Sequence, residues 1–262
     1  RAASCTVKDL KEGGYVAREL KRGGFTAMEL ICDDEFTVKE LKDGGFTASD
    51  LRSAEIPASD LRVGGFSAKA LKVAGFDAQD LTTAGYNAKE MYAKGTGFTA
   101  SEMKEVGQTA KQLRDAGLPA KLLHEAGYLL PALKGVGVSA SELKSIGFSA
   151  SELEIVGFTA QELGKGGFTT AELKVAGFDV QELRSSGFAT ATLREGGFTA
   201  EDLKMAGAAA KEMKQGGFTA IELKEVGTLP VELKSAGYSA NDLKLAGFDS
   251  VQLGIAGFTA QQ

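Results

Sequence analysis

A ten-residue repeat runs through the whole chain and constrains its fold more than any other feature. Leu10 is the first of 25 anchors: leucine or methionine recurs at 20 and 30, every ten residues from 41 to 91, and every ten from 103 to 253. Two insertions shift the phase, one residue near 31–36 and two near 91–98.

The other positions follow the anchor. Asp or Glu precedes it in 19 of 25 copies, and Lys or Arg follows it in 18. Glycine stands four residues after it in 23 copies, with Asp34 and Glu55 the exceptions. All 15 phenylalanines and four of the five tyrosines occupy the slot after that glycine, or the same slot after an insertion. One copy reads Phe218-Thr219-Ala220-Ile221-Glu222-Leu223-Lys224-Glu225-Val226-Gly227.

Each position has a helix-starting or helix-ending reason. Thr219 suits the N-cap, and Glu222 three residues later completes a capping box. Phe218 and Leu223 take the staple positions on either side of the cap. Gly227 suits the left-handed residue that closes a helix. The acid lies near the positive end of the helix dipole and the base nearer the negative end. The prolines agree: Pro57, Pro119, Pro131 and Pro230 all fall in a cap or first turn, where a missing N–H costs little. The apolar spacing is helical and does not alternate as a strand would.

The expectation is an all-α solenoid of helices about seven residues long, one repeat domain spanning 1–262. Helices this short do not persist alone, so neighbours must share their Leu, Ala and aromatic side chains as one core. The tight junctions predict a right-handed superhelix with few helices per coil. No 20- or 30-residue super-period says how many.

Composition excludes several classes. A net charge of −5 and a pI near 5.2 give no reason to expect nucleic acid as a partner. The variable positions carry no stacking aromatics, and the basic column is matched by an acidic one. No apolar run is long enough for membrane insertion. No signal-peptide pattern opens the chain, and a longer precursor is an open alternative. Cys5 and Cys32 do not make a disulfide framework, which favours an intracellular setting. Cys5 takes an aromatic slot and reads as a small buried hydrophobe.

No motif points to catalysis. The glycine pairs 13–14 and 23–24 sit at helix ends and lack a phosphate-loop pattern. The Glu and Lys columns recur throughout and lie two apart on each helix, so they read as capping and as a charge ladder between coils. His124 has no second histidine with which to share a metal. The chain is therefore expected not to be an enzyme, with no cofactor and no small-molecule substrate.

The most individual stretch is 118–138. Leu122 replaces an acid, Leu129 an N-cap, Leu130 an alanine and Val138 an aromatic, which makes these four a candidate partner surface. The alternative is local repacking around Pro119 and Pro131. A second candidate stripe is the position two after the anchor, apolar at 63, 73, 155, 175, 205, 245 and 255.

The consensus Gly-Phe-[Thr/Ser]-Ala-x-Glu-Leu-Lys-x-Ala-Gly resembles tandem decapeptide arrays, helical repeats of unassigned function. The resemblance implies an architecture and no catalytic residue. The expected role is a structural or scaffolding protein, a spacer or component of a larger assembly with a protein partner. The alternative is a protein- or peptide-recognition module that uses the variable columns or 118–138.

Overall fold

The computed structural model describes residues 6–32 and 35–259. Among them lie 25 short helices, α1 to α25 in chain order, and no strand. Cys5 and the centre of the first insertion, 33–34, lie outside the described residues. Packing divides the chain into two compact units, Arg1–Val136 and Gly137–Gln262, built from the same repeat.

Helix α4 (Val38–Asp43) shows how the repeat folds. The Thr37 hydroxyl accepts from the Glu40 N–H at 3.2 Å, and the Glu40 carboxylate accepts from the Thr37 N–H at 2.7 Å. That capping box satisfies two donors the first turn would leave orphaned. At the other end Gly45 has φ 90°, its N–H donates to the Lys42 carbonyl at 2.9 Å, and the Phe46 N–H reaches the Leu41 carbonyl at 3.0 Å. This is the Schellman closure, and it needs a residue that enters the left-handed region without strain. Glu55 is the one described non-glycine residue there, with φ 60°.

The helices are one residue shorter than expected. Nearly all have six residues, and α3 (Ala27–Ile31) and α9 (Ala88–Tyr92) have five. The residue before the left-handed glycine is already spent on the closing bonds.

The core is the anchor column. Each described anchor from Leu20 onward is buried, together with most first-turn alanines and most slot aromatics. At about 0.8 kcal/mol per buried CH₂, such a column outweighs any single polar contact.

Within each unit, a helix packs chiefly on the second helix along: α5 (Ala48–Ser53) on α7 (Ala68–Val73), and α15 (Ala150–Ile155) on α17 (Thr170–Val175). The approach is close. A Cβ on Gly196, which caps α19 (Thr190–Glu195), would lie 2.4 Å from the Thr170 hydroxyl oxygen and 2.8 Å from its carbonyl carbon. Gly216 meets Thr190 and Gly64 meets Val38 in the same way. Gly44 and Gly166 meet the first-turn alanines Ala17 and Ala140 as closely, so the start of one helix lies against the cap of the second along.

The second insertion is absorbed in the junction between α9 and α10 (Ala100–Glu105). After α9 the chain passes through Ala93 (φ −52°, ψ 145°), then Gly95 and Gly97, both with positive φ. Buried Thr96 donates its hydroxyl and its N–H to the Ala93 carbonyl. Beyond it the ten-residue repeat resumes, two residues out of its earlier phase.

Candidate functional site

The basic column has a role that spacing on one helix does not reveal. Lys144 of α14 (Ala140–Ser145) donates to the Gly167 carbonyl at 2.8 Å, pairs with Glu172 at 2.9 Å, and lies 4.4 Å from the centre of the Phe168 ring. One ammonium thus holds a helix-closing carbonyl, the acid of the third helix along and the ring between them. Such cation–ring contacts recur along the array, from Lys11 over Phe36 to Lys234 over Phe258. Ion pairs between successive coils recur with the same period, including Lys21–Asp50, Arg62–Glu90, Arg184–Glu212 and Arg194–Glu222. The charge ladder expected from sequence is therefore real, and its rungs pass over aromatic rings. Each exposed ion pair contributes about 0.5 kcal/mol and each cation–ring contact about 0.5–1.

The insertions do not break this seam. Lys72 reaches Phe98 (4.1 Å) and Glu102 (2.6 Å) across the two extra residues. The Lys72 ammonium holds the Glu102 carboxyl below its usual range, and the Thr37 backbone N–H does the same for Glu40. The buried tyrosines of the ring slot, Tyr86, Tyr128 and Tyr238, bond to the coil beneath: Tyr238 donates to the Phe218 carbonyl at 2.5 Å, and burial pushes its phenol up to about 12.

At two places where the cation is missing, both of its partner positions change as well. Thr82 stands in a basic position, and the ring and acid positions it would serve hold Gln108 and Gln112. Tyr92 stands in the next, with Leu118 and Leu122 in its partner positions. Glu154 and Gly164 also lack the cation, and the rings they would cover, Phe178 and Phe188, are only half-buried. A Cβ on Gly164 already meets Phe188 side-chain atoms. The basic side chain's aliphatic stem therefore acts as a lid for the ring.

The expected partner surface divides. Leu129 is 75% exposed at the N-cap of α13 (Leu130–Gly135), and Leu122 and Leu130 are half-buried. Val138 is 2% exposed, so it is not part of an exposed cluster. It fills the ring slot with a smaller apolar side chain and stays in the core. Leu122 stands at the acid position of the third helix after Tyr92, where the cation is also missing.

The second stripe behaves differently. Val63, Val73, Ile155 and Val175 are 77–87% exposed, although all lie well inside the array. The outward positions are those two before and two after the anchor, one helical turn apart. His124 and Cys32 are both on the surface. Among the described residues no helix is long and apolar enough to cross a membrane.

Comparison with protein families gives one match. The decapeptide repeat region model fits residues 33–97, 97–170, 137–209, 157–230 and 207–262. The chain belongs to the decapeptide repeat family. No curated protein matches it in sequence. In family terms the seam just described is what one repeat lends to the third repeat along, and the outward positions are what each repeat is free to vary.

Proposed function

We propose that this decapeptide repeat protein is a non-catalytic scaffold, a spacer or component of a larger protein assembly. The observation that carries the reading is the use of its polar side chains. The acid and base columns, which would be the raw material of an active site, are engaged in capping boxes and in the seam from one coil to the next. What remains for partners is the outward face, which differs from helix to helix while the core does not.

Repeat stacks suit such a role. Their stability is approximately a sum over neighbours, so length can change without loss of fold. The test is removal of whole repeats. Deleting residues 139–158, two complete copies, should leave a helical, cooperatively folding protein that still enters its native complex at native expression level. A deletion variant that folds but is lost from that complex would favour the recognition reading, which rests on exposed Leu129 and the variable columns. A protein found only as a free monomer in its native extract would defeat the scaffold reading.

A further inference from the structure

We infer that the second unit carries a built-in joint. It is the step from α15 and α16 (Ala160–Lys165) onto α18 (Val180–Ser185) and α19, where successive coils part before the helices around them open.

On either side a basic side chain holds this step. Lys144 reaches from α14 to the Gly167 carbonyl, the Phe168 ring and Glu172. Lys174 reaches from α17 to the Gly197 carbonyl, the Phe198 ring and Asp202. Phe168 and Phe198 are 4% and 6% exposed. The two rungs between them lack the cation.

At the first, Glu154 puts a carboxylate where the cation belongs, and the acid at the far end, Glu182, is kept. Glu154 is the one acid in the basic position among the 25 copies. Glu182 is exposed, whereas Glu172 and Glu212, each paired with a cation, are half-buried. At the second rung Gly164 supplies no side chain, and Thr192 replaces the acid. Phe178 and Phe188 are left half-buried. The helices themselves add to the weakness. Gly164 lies inside α16, and α19 starts at Ala189 without a side-chain cap.

Other gaps in the seam are closed by a change of the ring slot. Where Ile31, Thr82 and Tyr92 take the basic position, the slot holds Ile56, Gln108 and Leu118. Gln108 and Leu118 are buried. At Glu154 and Gly164 two successive cations are lost while both rings stay.

In a repeat stack each coil is held by those beside it, so a local deficit lowers the cost of opening at that step. One ion pair with one cation–ring contact shifts such an equilibrium about tenfold. Helices of six residues do not persist without neighbours, so parting of the coils releases their backbone N–H groups. The joint belongs to the array itself and stands or falls apart from the scaffold reading. In a spacer it is the place that yields to bending or tension.

Amide hydrogen exchange of residues 1–262, read peptide by peptide, tests the proposal. The N–H groups of α18 and α19 should exchange at least ~10-fold faster than those of α7 and α8 (Ala78–Thr83), whose rings Phe66 and Phe76 lie beneath Lys42 and Arg52. Glu154→Lys should slow α18 about tenfold. Glu195→Lys, the same charge change at an exposed position of α19, should leave α18 as it is. Lys174→Glu should create a second joint and speed α20 (Ala200–Met205) by about the same factor. Circular dichroism checks that each variant keeps its helices. Exchange in α18 and α19 no faster than in α7 and α8 overturns the inference. Fast exchange that Glu154→Lys does not slow overturns it, as does an equal slowing by Glu195→Lys, which would make net charge the cause. Unchanged exchange of α20 in Lys174→Glu overturns it as well.

Discussion

Helices α11 (Ala110–Asp115) and α12 (Ala120–Glu125) make a useful contrast with α23 (Pro230–Ser235) and α25 (Ser250–Ile255). Inside, the two regions agree. Leu113, Leu123 and Leu233 are wholly buried and Leu253 nearly so, and each helix ends on a glycine with φ between 81° and 93°. Outside, they differ. On α11 and α12 the outward pairs are Lys111–Asp115 (3.7 Å) and Lys121–Glu125 (3.8 Å). On α23 and α25 the same positions hold Val231, Ser235, Val251 and Ile255. The repeat conserves what it needs to close a coil and leaves the outward turn to other demands.

The largest test of that contrast is at the anchors. Leu113→Ala and Leu233→Ala should each cost about 3 kcal/mol, because each leaves a leucine-sized void in an equivalent place. Chemical denaturation measures both, and a difference of more than about half that value would show that the two interiors are not alike. Next come the closing glycines. Gly117→Ala and Gly237→Ala should each cost about 1–2 kcal/mol, since alanine is strained where φ is near 90°. Glu55→Gly should act in the opposite direction by relieving the one exception.

The caps sharpen the comparison further. The Thr109 hydroxyl accepts from the Gln112 N–H at 3.2 Å ahead of α11, whereas α23 begins at Leu229, whose N–H is held by Glu232 at 2.9 Å but whose side chain caps nothing. Thr109→Ala should lose about 1 kcal/mol and Leu229→Thr should gain a similar amount. Thermal melts read both, and a fall in Tm for Leu229→Thr would mean that the exposed leucine stabilises its own chain.

Acid should act through capping carboxyls on neighbouring helices, since α11, α12 and α25 have no acid in the first turn. Hydrogen bonds hold the carboxyls of Glu102 (Lys72 first, then Thr99) and Asp242 (the Ser239 N–H first) below their usual values. A depressed folded value means stability that is present above the unfolded value and lost as pH falls through the folded one. Tm should therefore hold down to about pH 5 and fall below about pH 4. A Tm that rises on acidification would contradict the capping boxes. The smallest effect belongs to the outward ion pairs. Lys111→Ala should change stability by no more than about 0.3 kcal/mol, and a larger loss would mean that α11 depends on its outer face.

Some of this was legible in the residues alone. Capping box, left-handed glycine and buried anchor are local consequences of ten consecutive side chains, so Thr37, Glu40, Leu41, Gly45 and Phe46 could be placed in order. Leu129 could be singled out as an N-cap position without a polar side chain, but that Val138 stays in the core could not be read there. Val138 looks exposed only if the ring slot is assumed to need a ring. A signal for the seam did exist: the shared departures Thr82, Gln108 and Gln112, and Tyr92, Leu118 and Leu122, are 26 to 30 residues apart. That spacing means nothing until the pitch of the coil is known.

The sequence by itself determined the helices, their ends and the side of each that faces inward. Those depend on backbone hydrogen bonds and side-chain shape within a few residues. Only the tertiary structure decided that a helix rests on the second along and reaches the third with its lysine. That packing lays the start of one helix against the cap of the second along, as at Thr170 and Gly196, and it fixes which rings are covered and which aliphatic side chains stay in water.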